Sequence, residues 1–158
     1  MHLRLATLDD IPNMQNLFVD TIRSVNPKDY NPDQIDIWTA SVFNADRWLQ
    51  LITDQFCMLA FDTSNTLIGF GSLIKDYIDF MYVHRDYQGI GVATLILKVL
   101  MAEAKRQKYL IIYSDASITA RPFFESQGFK AVHENVKMVR GVEIRNFRME
   151  HGLESVKS

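Results

Sequence analysis

The stretch Asp76–Arg106, DYIDFMYVHRDYQGIGVATLILKVLMAEAKR, constrains the fold of this chain more than any other. Ile78–Val83 is an apolar run of β-branched and aromatic residues, the composition of a buried strand. Gln88-Gly89-Ile90-Gly91 breaks it, and Val92, Leu95, Ile96, Val99 and Leu100 then recur with the period of an apolar helix stripe. A strand that feeds a helix through Gly-x-Gly leaves several backbone N–H groups unpaired and aimed at one point. The helix dipole adds partial positive charge there, so such a turn suits phosphate oxygens. Glycine matters because a Cβ would hold the phosphates away from the backbone.

A tight turn that binds nothing would also explain a lone Gly-x-Gly, so the neighbouring positions decide. A P-loop needs Gly-Lys-Ser/Thr, and Gly91 is followed by Val92 and Ala93. A dinucleotide fingerprint wants a third glycine where Thr94 stands, although Asp115 falls near the place of its acidic residue. The string Gln88-Gly89-Ile90-Gly91-Val92-Ala93 instead resembles the Q/R-x-x-G-x-G/A motif of the GNAT superfamily of acetyltransferases, set between strand and helix as that family requires. Tyr82-Val83-His84-Arg85-Asp86-Tyr87 is similar to the family's approach to the turn.

The 158 residues suffice for one domain with a real core, expected to span 1–158. A hydrophobic content of 47% and a net charge of −2 fit a soluble globular protein with no nucleic-acid partner. The apolar runs are too short to span a membrane and the N-terminus lacks a signal peptide's apolar core, so the expected compartment is the cytoplasm. The single cysteine, Cys57, forms no internal disulfide, and it shows no metal-ligand spacing with the histidines.

In chain order, His2–Ala6 reads as a strand. A helix capped by Thr7 or Asp9 follows, with Ile11, Met14, Phe18 and Ile22 on one face. Asp33–Phe43 and a short piece from Asp46 read as further helices. Phe56–Asp62 and Leu67–Ile74 read as a hairpin across Thr63-Ser64-Asn65. Beyond the organising stretch come a strand over Tyr109–Ser114 and a helix over Thr119–Gln127 ended by Gly128. Two strands, Lys130–Val139 and Val142–Glu150, close the chain across Arg140-Gly141. The order β-α-α-β-β-β-α-β-α-β-β predicts an α/β (α+β) fold, a mixed sheet of about seven strands with helices on both faces.

Ser117-Ile118-Thr119-Ala120-Arg121-Pro122-Phe123-Phe124-Glu125-Ser126-Gln127-Gly128-Phe129 resembles the second GNAT signature, N-x-x-A-x-x-[FL]-Y-x-x-x-G-F. Ala120, Phe123, Gly128 and Phe129 match in place. Ser117 stands where the family often has Asn, and Phe124 where it often has the Tyr that protonates the departing sulfur. Alone the segment is equally an amphipathic helix with core phenylalanines; its separation from Gln88–Ala93 favours the resemblance.

The resemblance spans essentially the whole chain and implies a mostly antiparallel, twisted sheet that splays between its two central strands. It implies acetyl-CoA as donor, with no metal, and an amine acceptor. Met81 and Val83 would make main-chain contacts to the pantetheine. Gly89, Ile90, Gly91, Val92, Ala93 and Thr94 would bind the pyrophosphate with Gln88 at the edge, and Ser117, Ala120, Phe123 and Phe124 would line the arm. Lys98, Lys105, Arg106 or Arg121 could meet the adenosine phosphate, but solvated surface charge is the better explanation of each.

Transfer to an amine needs a neutral nucleophile, and a lysine-like amine is rarely neutral at pH 7. A base is useful. Asp79, an acid inside an apolar strand, is the candidate, and period-2 alternation would set it on the face of Met81 and Val83. The alternative is that Asp79 pairs with a neighbouring Arg or Lys. Tyr82, Tyr113, Ser117 and Thr119 are candidates to meet the sulfur in place of the missing tyrosine, Tyr82 first. Tyr30, Trp38 and Trp48 load the middle segment with aromatic rings; core packing explains them, but Tyr30 and Trp38 are also candidate walls of an acceptor pocket that, with Asp36 or Asp79, would suit a cationic amine. The expectation is therefore an acetyl-CoA-dependent N-acetyltransferase, monomer or homodimer. The alternatives are a CoA-binding sensor that has lost catalysis and a nucleotide-binding domain.

Overall fold

The computed structural model describes residues 1–154. Seven strands form one sheet: β1 (His2–Leu5), β2 (Phe56–Phe61), β3 (Leu67–Ile74), β4 (Tyr77–Val83), β5 (Ile111–Ser117), β6 (Lys130–Val139) and β7 (Val142–Gly152), in the order β1-β2-β3-β4-β5-β7-β6. Every pairing is antiparallel except β4 with β5. The helices are α1 (Ile11–Val25), α2 (Pro32–Ala40), α3 (Ala45–Thr53), α4 (Val92–Arg106) and α5 (Arg121–Ser126). This is the mixed, mostly antiparallel α/β architecture expected.

Local chemistry sets the helix starts. Asn31 accepts from the Gln34 N–H at 2.9 Å while Gln34 accepts from the Asn31 N–H at 2.8 Å, a capping box ahead of Pro32. α4 begins at Gly91 in the left-handed region, φ 93°. α2 stops at Ala40, short of the expected Phe43, because Ser41–Phe43 tightens into a 3-10 turn whose Ser41 carbonyl accepts the Trp48 indole N–H at 3.2 Å.

The sheet separates two apolar layers. On one face α4 and α5 bury Ile96, Leu97, Leu100 and Phe124. On the other α1, α2 and α3 bury Met14, Phe18, Ile35 and Trp48 against Phe70 and Phe80. α4 lies close on β3: a Cβ at Gly71 would come within 2.7 Å of Ile96 Cγ2, so only glycine lets the helix settle there.

β4 and β5 pair only at Tyr77–Tyr113 and Ile78–Ser114. Ser114 Oγ donates to the Ile78 carbonyl at 3.0 Å, closing the ladder with a side chain. The pairing of β3 with β4 jumps from Ser72–Phe80 to Leu73–Ile78, which leaves Asp79 as the extra residue of a β-bulge. A bulge sharpens the local twist. Beyond it Asp79–Val83 and Asp115–Ser117 no longer pair with each other, although β4 still pairs with β3 and β5 with β7, and the sheet opens between them.

Candidate functional site

Two cavities flank that opening. The smaller, about 310 Å3, is lined by Val83, Gln88, Gly89, Gly91, Val92, Ala93, Thr94 and Phe123, with Tyr87, Ser126 and Gln127 at its margin. Gly89 and Gly91 have φ of 72° and 93°, and a Cβ at either would meet no atom within 4 Å. Their glycine requirement is therefore conformational on the protein side, and the space before them is open. His84 accepts the Tyr87 N–H, and Gly91 accepts the Leu95 N–H. No protein acceptor among the described residues meets the N–H groups from Gln88 to Thr94. Ile90 projects outward, 65% exposed. Such a row of uncapped amides at a helix N-terminus suits an anion.

The main chain of β4 leads from this cradle into the gap. The His84 N–H donates to the Ile68 carbonyl, which phases the ladder: His84 and Tyr82 turn their backbone groups to β3, and Val83 and Met81 turn theirs away. The Val83 carbonyl accepts from Gln88 Nε2 at 2.6 Å and Thr21 Oγ1 at 3.3 Å. Met81 N–H and C=O face the gap.

The larger cavity, about 710 Å3, lies on the α1–α3 side and is lined by residues including Phe18, Tyr30, Trp38, Arg47, Asp79 and Tyr82. The bulge overturns one expectation here. Asp79 is not on the face of Met81 and Val83, which pack toward α4. It shares the α1–α3 face with Phe80, because the extra residue breaks the alternation. Arg47 donates to Asp79 Oδ1 at 3.1 Å and Oδ2 at 3.2 Å, Gln55 Nε2 donates to Oδ2 at 2.7 Å, and the Arg47 guanidinium sits 4.5 Å over the Phe80 ring.

Tyr82 lines the same cavity, half-buried and edge-on to Phe18 at 4.9 Å. Burial pushes its phenol well above the ordinary value, with Trp38 and Arg47 pulling the other way. Tyr30 and Trp38 line the cavity edge to face at 5.2 Å. Only 5% exposed, Tyr30 also braces the wall: its hydroxyl donates to the Arg145 carbonyl at 2.7 Å and accepts from the Ile118 N–H at 2.9 Å. Trp48 lies in the core and Asp36 pairs with Arg23 on the surface, so neither joins the pocket.

The segment around α5 divides. Phe123 reaches the cradle, while Ser117 lines the larger cavity and caps the Ala120 N–H at 3.0 Å. Ala120 packs half-buried at the margin of the α4 layer. Phe124 departs from its expected place along the arm. It is 2% exposed, edge-on to Phe123 and Phe129, and lines neither cavity, because the short α5 turns it into the core. Arg106 and Arg121 are paired with Glu103 and Glu125. Burial pushes the Cys57 thiol up to about 12, which makes it inert core.

Sequence reasoning missed a polar cluster at the floor of the larger cavity. Asp115 accepts from Arg148 at 2.8 and 3.3 Å, from Tyr77 at 3.1 Å and from Asn135 at 2.8 Å; Asn135 also donates to Asn146 Oδ1 at 2.8 Å. Burial raises the Asp115 carboxyl, but Arg148, Asn135 and Tyr77 outweigh it and hold the carboxyl below its ordinary value. Burial and Asp115 push the Tyr77 phenol up. Among the described residues no cluster of His, Cys, Asp or Glu is placed to hold a metal ion, and no helix is long and apolar enough to cross a membrane.

Comparison with known proteins agrees with this fold. The family model for the acetyltransferase (GNAT) domain matches residues 26–151. The chain is 32% identical over 142 residues to the uncharacterised N-acetyltransferase YafP of Escherichia coli K12, covering 90% of this chain and 89% of that one. A GCN5-related N-acetyltransferase from Rhodopseudomonas palustris superposes with a TM-score of 0.91 at 29% identity, over 96% of this chain and 95% of the other. The PaiA N-acetyltransferase of Thermoplasma acidophilum, solved in complex with coenzyme A, shares the fold with a TM-score of 0.72 at 17% identity, over 96% and 99% of the two chains.

Proposed function

This chain belongs to the GNAT superfamily of N-acetyltransferases, and from that membership we propose that it transfers an acetyl group from acetyl-CoA directly to a primary amine, both substrates being bound together. One observation carries the donor assignment: the uncapped amides of Gln88–Thr94 open onto the gap beside β4. The diphosphate of the donor would sit against those N–H groups, with Gly89 and Gly91 allowing its close approach. The pantetheine amides would pair with the backbone of Met81 and the N–H of Val83, and Phe123 would cover the arm. A neighbour solved with coenzyme A supports the donor's identity.

The acceptor would enter from the larger cavity, past Tyr30 and Trp38. Its nitrogen attacks the thioester carbonyl; the C–N bond forms and the C–S bond breaks, leaving CoA as the thiolate. The Met81 N–H faces the gap and is assigned to the carbonyl oxygen as negative charge builds there. Asp79 Oδ2 already accepts two hydrogen bonds and Oδ1 one, so Oδ1 retains an acceptor direction for the amine. We assign Asp79 to orienting that nitrogen and relaying its proton to solvent, with Arg47 and Gln55 fixing the carboxylate. The Tyr82 phenol, kept protonated by burial, is assigned to the departing sulfur and recovers its proton from water.

Calorimetric titration with acetyl-CoA, NAD and ATP tests the donor, and thiol release across a panel of amines tests the chemistry. Binding of acetyl-CoA alone with amine-dependent thiol release is expected. Acetyl-CoA binding with no release from any amine would favour a CoA sensor, and preference for NAD or ATP would reject both readings.

A further inference from the structure

The charged groups in the wall of the larger cavity are paired in a way that says what the acceptor carries at its far end. Asp79 accepts from Arg47 and Gln55, and Asp115 accepts from Arg148, Tyr77 and Asn135. Each carboxylate is thus neutralised by a guanidinium and further satisfied by neutral donors. Asp79 keeps one acceptor direction, assigned to the reacting amine, and Asp115, with two hydrogen bonds on each oxygen, keeps none for a second cation such as a diamine would bring. Lys137 is the remaining charge: it lines the cavity and forms no ion pair with any described residue.

The hairpin of β6 and β7 explains its position. Asn135, Lys137 and Val139 alternate along β6 and face the cavity, and across the ladder Asn135 opposes Asn146 while Lys137 opposes Ile144. Asn135 spends both amide hydrogens on Asp115 and Asn146 Oδ1, and the Asn146 side-chain N–H groups meet no protein acceptor among the described residues. One ammonium and one amide donor therefore border an apolar patch of Val139 and Ile144.

We propose that this hairpin face is a carboxylate-binding subsite, and that the acceptor is an amine bearing a carboxylate at the opposite end of a short apolar body. The inference rests on the acetyltransferase reading above, which places the amine end beside β4. β6 lies three strands from β4 in the sheet, at least about 14 Å at ordinary strand spacing and more where β4 and β5 part. Even shortened by the lysine stem, that span exceeds the separation of amine and carboxylate in an α-amino acid. It fits an ω-amino acid or a dipeptide, which share this chemistry.

Two matched pairs distinguish these sources: 6-aminohexanoate against hexylamine, and glycyl-leucine against its C-terminal amide. Thiol release from acetyl-CoA is followed for each, and the same compounds are titrated into protein saturated with CoA, so the comparison does not depend on turnover. In at least one pair the carboxylate member should be preferred by about tenfold, the order expected of a hydrogen bond to a charged group. Lys137→Met, an exposed site, should bring that pair to near parity while acetyl-CoA affinity stays the same. Parity in the wild type, preference for the uncharged partner, or a preference undiminished by Lys137→Met would overturn the subsite. Failure of acetyl-CoA to bind would instead reject the donor reading beneath it.

Discussion

Gln88 Nε2 donates to the carbonyl of Val83 at 2.6 Å, so the first residue of the glycine turn is tied to the last residue of β4. The bond fixes where the uncapped amides stand relative to the gap. Gln88→Ala should weaken acetyl-CoA binding by about tenfold, roughly 1.4 kcal/mol, through lost preorganisation. The melting temperature should hardly move, because Thr21 still donates to Val83. Calorimetry beside a thermal melt checks both; unchanged affinity would show that the turn holds its shape without this bond.

Restoring the family's tyrosine at Phe124 should not restore an acid. The ring lies in the core between Phe123 and Phe129, so Phe124→Tyr buries a hydroxyl among apolar neighbours. The cost expected of an unsatisfied buried hydroxyl is about 1–3 kcal/mol, read as a lower denaturation midpoint with no gain in kcat. A faster variant of unchanged stability would mean that α5 rotates when the donor binds.

Tyr82 carries the proposed acid role, and burial raises its phenol. A free tyrosine loses its proton near pH 10; this one stays protonated there, so the wild-type rate should not fall through that pH for want of an acid. Tyr82→Phe keeps the ring against Phe18 and should lower kcat by about a hundredfold, the low end for proton transfer. An unaltered kcat would remove Tyr82 from the chemistry.

Acid should weaken the tie between β1 and the turn that precedes α1. Hydrogen bonds from Arg4, aided by Thr7, hold the Asp10 carboxyl at about 2 against the usual 3.8. The folded value lies below the unfolded one, so this stability is complete above the unfolded value and is lost as pH falls toward about 2. Arg4 is half exposed, and screening trims the contribution to about 1 kcal/mol. Urea midpoints between pH 5 and pH 2 should fall less in Asp10→Asn than in the wild type; parallel curves would contradict the assignment.

Much of this was legible in the residues. Period and turn chemistry pointed to the seven strands, because Val, Ile and Phe runs are separated by turns at Asn65 and Arg140-Gly141, where the backbone enters the left-handed region, and β4 stops at Val83 ahead of the turn through Gly89. The uncapped turn followed from Gly89 and Gly91 set between an apolar strand and a periodic helix. The bulge at Asp79 did not, since an extra residue in a strand has no signature until its partner strand is counted. The Asp115–Arg148–Asn135 cluster likewise joins residues from three strands with no local pattern, and Asp115 read in isolation pointed toward a nucleotide. Phe124 could not be placed because a phenylalanine on a short helix fits a core and a ligand arm equally well.

Gly91 offers the most direct test. Its φ of 93° puts a substituted side chain into open space that the diphosphate is proposed to fill, and a Cβ there meets no protein atom within 4 Å. Gly91→Trp should stay folded and lose acetyl-CoA binding, while Gly91→Ala, which carries the same backbone strain of about 1–2 kcal/mol without the bulk, should retain much of it. Titration calorimetry of the three proteins with acetyl-CoA decides the matter: heat of binding absent only in the tryptophan variant is the predicted result, and wild-type affinity in that variant would contradict the cradle.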